Sequence, residues 1–176
     1  MGGMDQGETE KTVLDDVGAD VRLAALEFDG ARAWWDRARQ HPLEPLAADV
    51  WVTDPAFEHV LLVKHRWRGW VPPGGTVEAG ETPRAAAERE LAEETGVRAA
   101  LLAVPAAVSV RSYRADWSAT LGLSYAAIVP LTVELGGEAG QPPQWFALDD
   151  EWESVFPEDG ERIRAHVRRL LADAKA

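Results

Sequence analysis

The sequence predicts an α/β fold in which a mixed β-sheet is sandwiched between helices and preceded by an N-terminal helical extension. Three observations predict it. Short apolar, β-branched runs such as Asp49-Val50-Trp51-Val52-Thr53 and Val60-Leu61-Leu62-Val63 read as strands bounded by turn residues. Helical spacing alternates with those runs, and in the last segment Ile163, Val167, Leu170 and Leu171 form an i, i+4, i+7, i+8 stripe suited to packing on a sheet. No regular strand–helix–strand repeat is visible, so the sheet is expected to be mixed rather than wholly parallel.

At 176 residues the chain suits one domain with a substantial core. Its formal net charge of −12 argues against nucleic-acid polymers or an acidic membrane surface as partners, because polyanions are repelled over most of the surface. A small phosphorylated substrate held by metal ions and a few local cations remains compatible. Without cysteine there is no disulfide, thiol nucleophile or zinc-thiolate site, which suits a reducing cytoplasm, the expected location. The opening MGGMDQGETEKT lacks the basic and apolar regions of a signal peptide. The longest apolar stretch, Ala99 to Val110, is broken by Pro105 and Ser109 and is too short to span a bilayer.

Residues 1–13 are expected to be a disordered tail and residues 14–47 the helical extension. Within it, Val21, Leu23, Ala24, Leu26 and Phe28 suggest one helix broken at Asp29-Gly30. A second helix, from Arg32 to Gln40, carries Trp34 and Trp35 and is stopped by Pro42. A Trp pair beside Arg37 is able to stack a base, but packing on the domain is the commoner role of such a pair. The domain proper is expected over residues 48–176.

Its first strand leads through Asp54-Pro55 to a second, Glu58 to Lys64. KHRWRGW follows, interleaving Lys64, His65, Arg66 and Arg68 with Trp67 and Trp70, the densest positive charge in an acidic chain. Arg66 and Arg68 suit phosphate binding and Trp67 suits a nucleobase; a solvated loop anchored by its Trp residues explains the same pattern equally well. Further on, Ala99 to Arg114 is β-rich, a loop surrounds Arg114 to Trp117, and Leu121 to Leu135 reads as a long strand. A loop over 136–143, a strand from Gln144 to Leu148 and a helix from Asp159 to Ala174 complete the chain.

The chemistry is concentrated between Gly74 and Val97, GGTVEAGETPRAAAERELAEETGV. Glu90, Glu93 and Glu94 stand at i, i+3 and i+4, so a helix places all three on one face. Like charges at that spacing repel, and a hard divalent cation with oxygen ligands compensates them; a solvated acidic face is the plainer reading of the three alone. Thr82 and Pro83 suit the N-cap and first position of that helix, and Gly96 suits its C-terminal stop. Gly74 and Gly75 permit close backbone approach to a ligand, and Arg89 is placed to pair with Glu81.

Gly75, Glu81, Arg89, Glu90, Leu91, Glu93, Glu94, Gly96 and Val97 match all nine specified positions of GX5EX7REUXEEXGU, U being aliphatic. The stretch resembles the Nudix box of the Nudix hydrolases over the 23 residues from Gly75 to Val97. The resemblance implies the Nudix α/β/α sandwich, with the box as loop–helix–loop and residues 14–47 unexplained by the family pattern. It implies Mg²⁺ or Mn²⁺ held by Glu90, Glu93, Glu94 and the Gly74 carbonyl, with Gly75, Glu81 and Arg89 shaping the box. It also implies hydrolysis of a pyrophosphate bond in a nucleoside diphosphate derivative, with a homodimer as a frequent assembly.

The general base implied is Glu93 or Glu94, or a glutamate outside the box, for which Glu134 and Glu138 are the candidates. Trp70-Val71-Pro72-Pro73-Gly74-Gly75 resembles the nucleoside triphosphate pyrophosphohydrolases, the leading substrate expectation. Tyr113, sixteen positions past Val97, resembles the tyrosine that accompanies dinucleoside polyphosphate hydrolysis. Ser112 stands where a proline accompanies ADP-ribose hydrolysis, so ADP-ribose and nucleotide sugars rank lower. A non-catalytic nucleotide sensor is the alternative of another class, and complete retention of the box glutamates argues against it.

Overall fold

The computed structural model describes residues 6–39, 46–113, 115–116 and 118–176. In order they form α1 (Gln6–Leu23), β1 (Leu26–Glu27), α2 (Ala31–Ala38), β2 (Ala47–Thr53), β3 (His59–His65), β4 (Gly69–Val71) and β5 (Gly74–Thr76). Then follow α3 (Pro83–Thr95), β6 (Ala107–Arg111), β7 (Thr120–Ile128), β8 (Pro143–Ala147) and α4 (Asp159–Asp173). The strands join one sheet in the order β1-β6-β7-β2-β3-β4, with β5 added to β2 and β8 to β3. It is mixed as expected: β1 with β6 and β2 with β7 run parallel, and the other pairs antiparallel.

Side-chain alternation along β2 sorts the two cores. Ala48, Val50 and Val52 pack with Val17 and Val21 of α1, Trp35 of α2 and Ala87 and Leu91 of α3. Trp51 faces the other side, with Ile163 and Val167 of α4. The sheet is therefore covered on both faces. Trp35 is only 4% exposed and Trp34 packs against the same cluster, so the Trp pair belongs to the core.

The N-terminal segment departs from the expected pattern. The first helix begins by Gln6, inside the stretch expected to be a disordered tail, and it ends at Leu23 rather than at Asp29-Gly30. Leu26-Glu27 is a strand because Ala25, Leu26 and Phe28 donate their N–H groups to Pro105, Ala106 and Val108 carbonyls. Arg32 secures this turn, reaching the Val21 and Ala24 carbonyls and the Glu27 carboxylate. Tyr125 of β7 donates to Asp20 of α1 at 2.5 Å, so the extension is tied to the central sheet.

Two long strands expected from composition are shorter. Only Ala107–Arg111 of the 99–114 run is a strand, since Pro105 lacks an N–H and residues 96–106 follow an irregular path. β7 ends at Ile128, two residues before Pro130, so Glu134 lies in irregular chain after the Pro130–Val133 turn and does not close a strand. The expected end of α2 at Gln40 and Pro42, and the loop residues Arg114 and Trp117, lie outside the described residues. Among the described residues no helix is long and apolar enough to cross a membrane.

His166 on α4 is buried edge-on against Trp51, with ring centroids 5.7 Å apart. Burial, helped by the nearby Arg169 charge, depresses its pKa to about 4. The folded state thus favours neutral imidazole, so its contribution to stability is complete above the unfolded pKa near 6.5 and fades as pH falls toward 4. About 2 kcal/mol should be lost between pH 7.5 and pH 5 through this group. Urea melts at the two pH values should show the loss in wild type and a flatter profile in His166→Leu; parallel profiles would remove His166 as the cause.

Candidate active site

The site begins where β5 pairs with the first half of β2, in the register Ala47–Thr76, Ala48–Gly75 and Asp49–Gly74. A Cβ on Gly74 would lie 2.5 Å from the Ala48 carbonyl oxygen and 2.7 Å from the Asp49 Cα, so a side chain there is excluded by backbone. At Gly75 it would lie 2.5 Å from Glu90 Oε1. The double glycine therefore lets α3 bring its carboxylates directly onto the strand. Glu94 Oε2 accepts the Gly74 N–H at 2.8 Å.

Helix α3 is held at both ends as its sequence predicts. The Thr82 hydroxyl accepts the Ala85 N–H at 3.2 Å, Pro83 takes the first turn, and Gly96, with φ of 71°, ends the helix through a bond to Ala92. Ala86, Ala87 and Leu91 are buried, which turns Glu90, Glu93 and Glu94 away from the core and toward the strand and solvent.

Arg89 organises the carboxylates. Its Nε and Nη2 donate to the two oxygens of Glu81, each at 3.0 Å, and Nη2 also reaches the Thr76 carbonyl at 3.1 Å. Its Nη1 donates to Glu90 at 2.6 Å and to Glu93 at 3.3 Å. The Arg89 hydrogen bonds hold the Glu81 carboxyl below its usual range. Burial pushes Glu90 up, against the pull of Arg89. Burial pushes Glu94 further, to about 7; the Gly74 N–H opposes the shift and the charge of Glu90 adds to it. Glu93, with 53% of its side chain exposed, stands at the solvent edge.

Among the described residues no three carboxylate or imidazole groups form a ready-made cation cage. The donor set nevertheless fits a hard divalent cation: it is all oxygen, shares one helix face, and includes two carboxylates whose negative charge burial disfavours.

On the far side of the double glycine lies a cavity of about 130 Å³, on the sheet face that carries α4. Asp49, Arg68, Gly74, Arg111, Tyr113 and Phe156 are among its walls. Arg68 and Tyr113 thus enter the site, and Arg68 also bears electrostatically on Glu94. Both residues continue into a second, more open groove with His65 and Trp67. Trp67 is 75% exposed with the Arg66 guanidinium 4.8 Å above its ring, so these two stand at the outer rim. Glu138 is exposed, accepts from Gln141 at 2.9 Å and is within electrostatic reach of Glu94. Glu134 sits exposed just after the turn that follows Pro130.

A family model described as NUDIX domain matches residues 43–171. The chain belongs to the Nudix family. Among curated proteins, an RNA pyrophosphohydrolase of Roseobacter denitrificans is 42% identical over 81 residues, 45% of this chain and 44% of that protein. A Mycobacterium tuberculosis protein bearing the provisional name 8-oxo-dGTP diphosphatase 2 is 66% identical over 35 residues, 20% of this chain and 25% of its own length. The chain thus spans less than half the length of either. A solved Caenorhabditis elegans Ap4A hydrolase superposes with a TM-score of 0.59 and 21% identity, covering 74% of this chain and 99% of that one. That likeness establishes the α/β Nudix fold with its mixed sheet.

Beside the Nudix box, the structure places groups that sequence reading passed over. Asp49, Arg111, Phe156 and Asp159 all line the cavity. Arg111 Nη1 donates to Asp159 Oδ1 at 2.6 Å and to Glu158 at 3.1 Å, and its guanidinium lies 4.0 Å from the Phe156 ring centroid. Burial raises Asp49 to about 7, against the Arg111 charge. Burial likewise raises Asp159, again opposed by Arg111. The available signal was a charged residue in each of two otherwise apolar or small-residue strands, Asp49 within β2 and Arg111 at the end of β6.

Proposed function

We propose that this Nudix protein is a divalent-metal-dependent pyrophosphohydrolase of nucleoside triphosphates, releasing a nucleoside monophosphate and pyrophosphate. The observation that carries this reading is the meeting, at Gly74-Gly75, of the Glu90 and Glu94 carboxylates of the box helix with a cavity lined by Arg68 and Arg111. Glu90, Glu93, Glu94 and the Gly74 carbonyl would hold Mg²⁺ or Mn²⁺. When bound, the metal neutralises phosphate charge and lowers the pKa of a coordinated water. Glu94 is the best-placed proton acceptor, being partly buried and oriented by the Gly74 N–H, whereas Glu93, Glu134 and Glu138 stand exposed. Arg68 orients the phosphate chain from the cavity wall, and Trp67 with Arg66 borders its outer path. Similarity to curated proteins named as an RNA pyrophosphohydrolase and an 8-oxo-dGTP diphosphatase supports the same bond class.

A second reading, dinucleoside polyphosphate hydrolysis, is favoured by Tyr113, which lines both the cavity and the adjoining groove. The two spaces on either side of Tyr113 suit two nucleoside ends. A substrate panel with Mg²⁺ and with Mn²⁺, with products separated by chromatography, discriminates these readings. It contains ordinary and oxidised nucleoside triphosphates, dinucleoside polyphosphates, ADP-ribose and nucleotide sugars. Monophosphate plus pyrophosphate from triphosphates is the expected result. Cleavage of dinucleoside polyphosphates alone would replace the first reading with the second. Metal binding without turnover on any substrate would overturn both in favour of a sensor.

A further inference from the structure

Two polar atoms of residues that line the cavity are buried without a hydrogen-bond partner: Oδ1 of Asp49 and Nε of Arg111. They are chemically opposite, an acceptor and a cationic donor, and both residues line the same space. Neither is free to turn away. Asp49 is fixed by its place in β2, between Gly74 of β5 and Ser124 of β7. Arg111 is fixed by Asp159 and Glu158 on its terminal nitrogens and by Phe156 on its face. Native structures rarely leave a buried donor and acceptor unmade, and such orphans commonly mark where a ligand or water completes the set.

We infer that Asp49 and Arg111 are a specificity pair that reads the lactam edge of a nucleobase. Asp49 Oδ1 accepts the ring N–H, and Arg111 Nε–H donates to the adjacent carbonyl. The inference rests on the proposed nucleotide substrate and adds which part of it this cavity takes. The lining supports a flat heterocycle, since Val71, Pro72, Tyr113 and Phe156 surround the polar pair with apolar and aromatic surface. The cavity opens on Gly74-Gly75, so a base seated there directs its phosphates past Arg68 toward the box carboxylates. Guanine and uracil present N–H beside C=O. Adenine and cytosine, seated the same way, would set an amino group against the arginine donor and an unprotonated ring nitrogen against the carboxylate.

The test is equilibrium binding of GMP, UMP, AMP, CMP and base-free ribose 5-phosphate to the metal-free full chain, followed by calorimetry. GMP and UMP should bind more tightly than AMP and CMP, and ribose 5-phosphate least. Asp49→Leu, close in volume and without an acceptor, should weaken GMP and UMP about tenfold or more, as expected for loss of a hydrogen bond to a charged group, with ribose 5-phosphate unchanged. If Asp49→Leu does not fold, Arg111→Lys serves instead, keeping a cation for Asp159 while removing Nε–H. Equal binding of all five ligands, no measurable binding, or undiminished GMP and UMP affinity in the variant would overturn the pair and leave the cavity to ordered water. Triphosphate turnover without base preference would overturn the pair alone. Asp49-dependent GMP binding without any triphosphate turnover would retain the pair and remove the proposed reaction.

Discussion

Glu94→Gln is expected to lower kcat about 10³-fold on the best triphosphate, in the range by which loss of a positioned general base slows a reaction. The substitution is nearly isosteric, and the Gln carbonyl keeps an acceptor for the Gly74 N–H, which Glu94 now receives at 2.8 Å. What is lost is the charge that would bind the cation and the basicity that would take the water proton. The fold should survive, because burial already disfavours that charge and raises the carboxyl pKa to about 7. Without metal the melting temperature should match or exceed that of wild type. Glu93→Gln should also be severely impaired. Glu134→Gln should remain near wild type, since Glu134 stands exposed in irregular chain; Glu138→Gln should fall between, because its charge reaches Glu94. The measurements are kcat in Mg²⁺ and Mn²⁺ with a thermal melt on each variant. Full activity in both Glu93→Gln and Glu94→Gln would sink the catalytic role of the box.

The sheet class, the covering helices and the box helix were legible because each carries a local signal. Thr82-Pro83 and Gly96 bound α3 through caps that act within a few residues. Ile163 and Val167 mark the buried stripe of α4 through its period. Other features depend on partners distant in sequence. Leu26-Glu27 is a strand because residues 107–108 receive it; read locally, Leu26 and Phe28 continue a helical pattern. The apolar runs at 99–106 and 129–135 resemble strands in composition, but Pro105 and Pro130 break them, and isolated bonds such as Leu102 N–H to Ala126 and Val129 N–H to Thr53 tie them to the sheet in place of a continuous ladder. The same division governs the site. The box glutamates lie within one turn of a single helix and are visible by spacing, whereas Asp49, Arg111 and Asp159 meet only once β2, β6 and α4 are assembled. A single charge in a strand is a weak signal until its face is known, and here that face is the cavity.

Arg89→Met should destabilise the metal-free protein by about 2 kcal/mol, between the worth of an exposed ion pair and that of a buried one. Arg89 is partly shielded, with 25% of its side chain exposed, and it serves three carboxylates and the Thr76 carbonyl at once. Methionine fills comparable volume, so the loss is mainly electrostatic. Glu81, Glu90 and Glu93 would be left facing one another without the cation that now sits among them. The deficit should be smaller in Mg²⁺ or Mn²⁺, because a divalent ion bound by Glu90, Glu93 and Glu94 supplies part of the missing positive charge and stabilises the state that binds it. Chemical denaturation with and without metal measures both terms. A deficit of the same size in the two conditions would show that Arg89 acts only as a structural clamp between Glu81 and the Thr76 strand. A deficit that shrinks with metal would show that arginine and metal neutralise the same cluster. In that case the Arg89 bridge to Glu90 and Glu93 is the arrangement of the metal-free state, and metal binding must draw those carboxylates away from Arg89 while the pair with Glu81 keeps the loop closed.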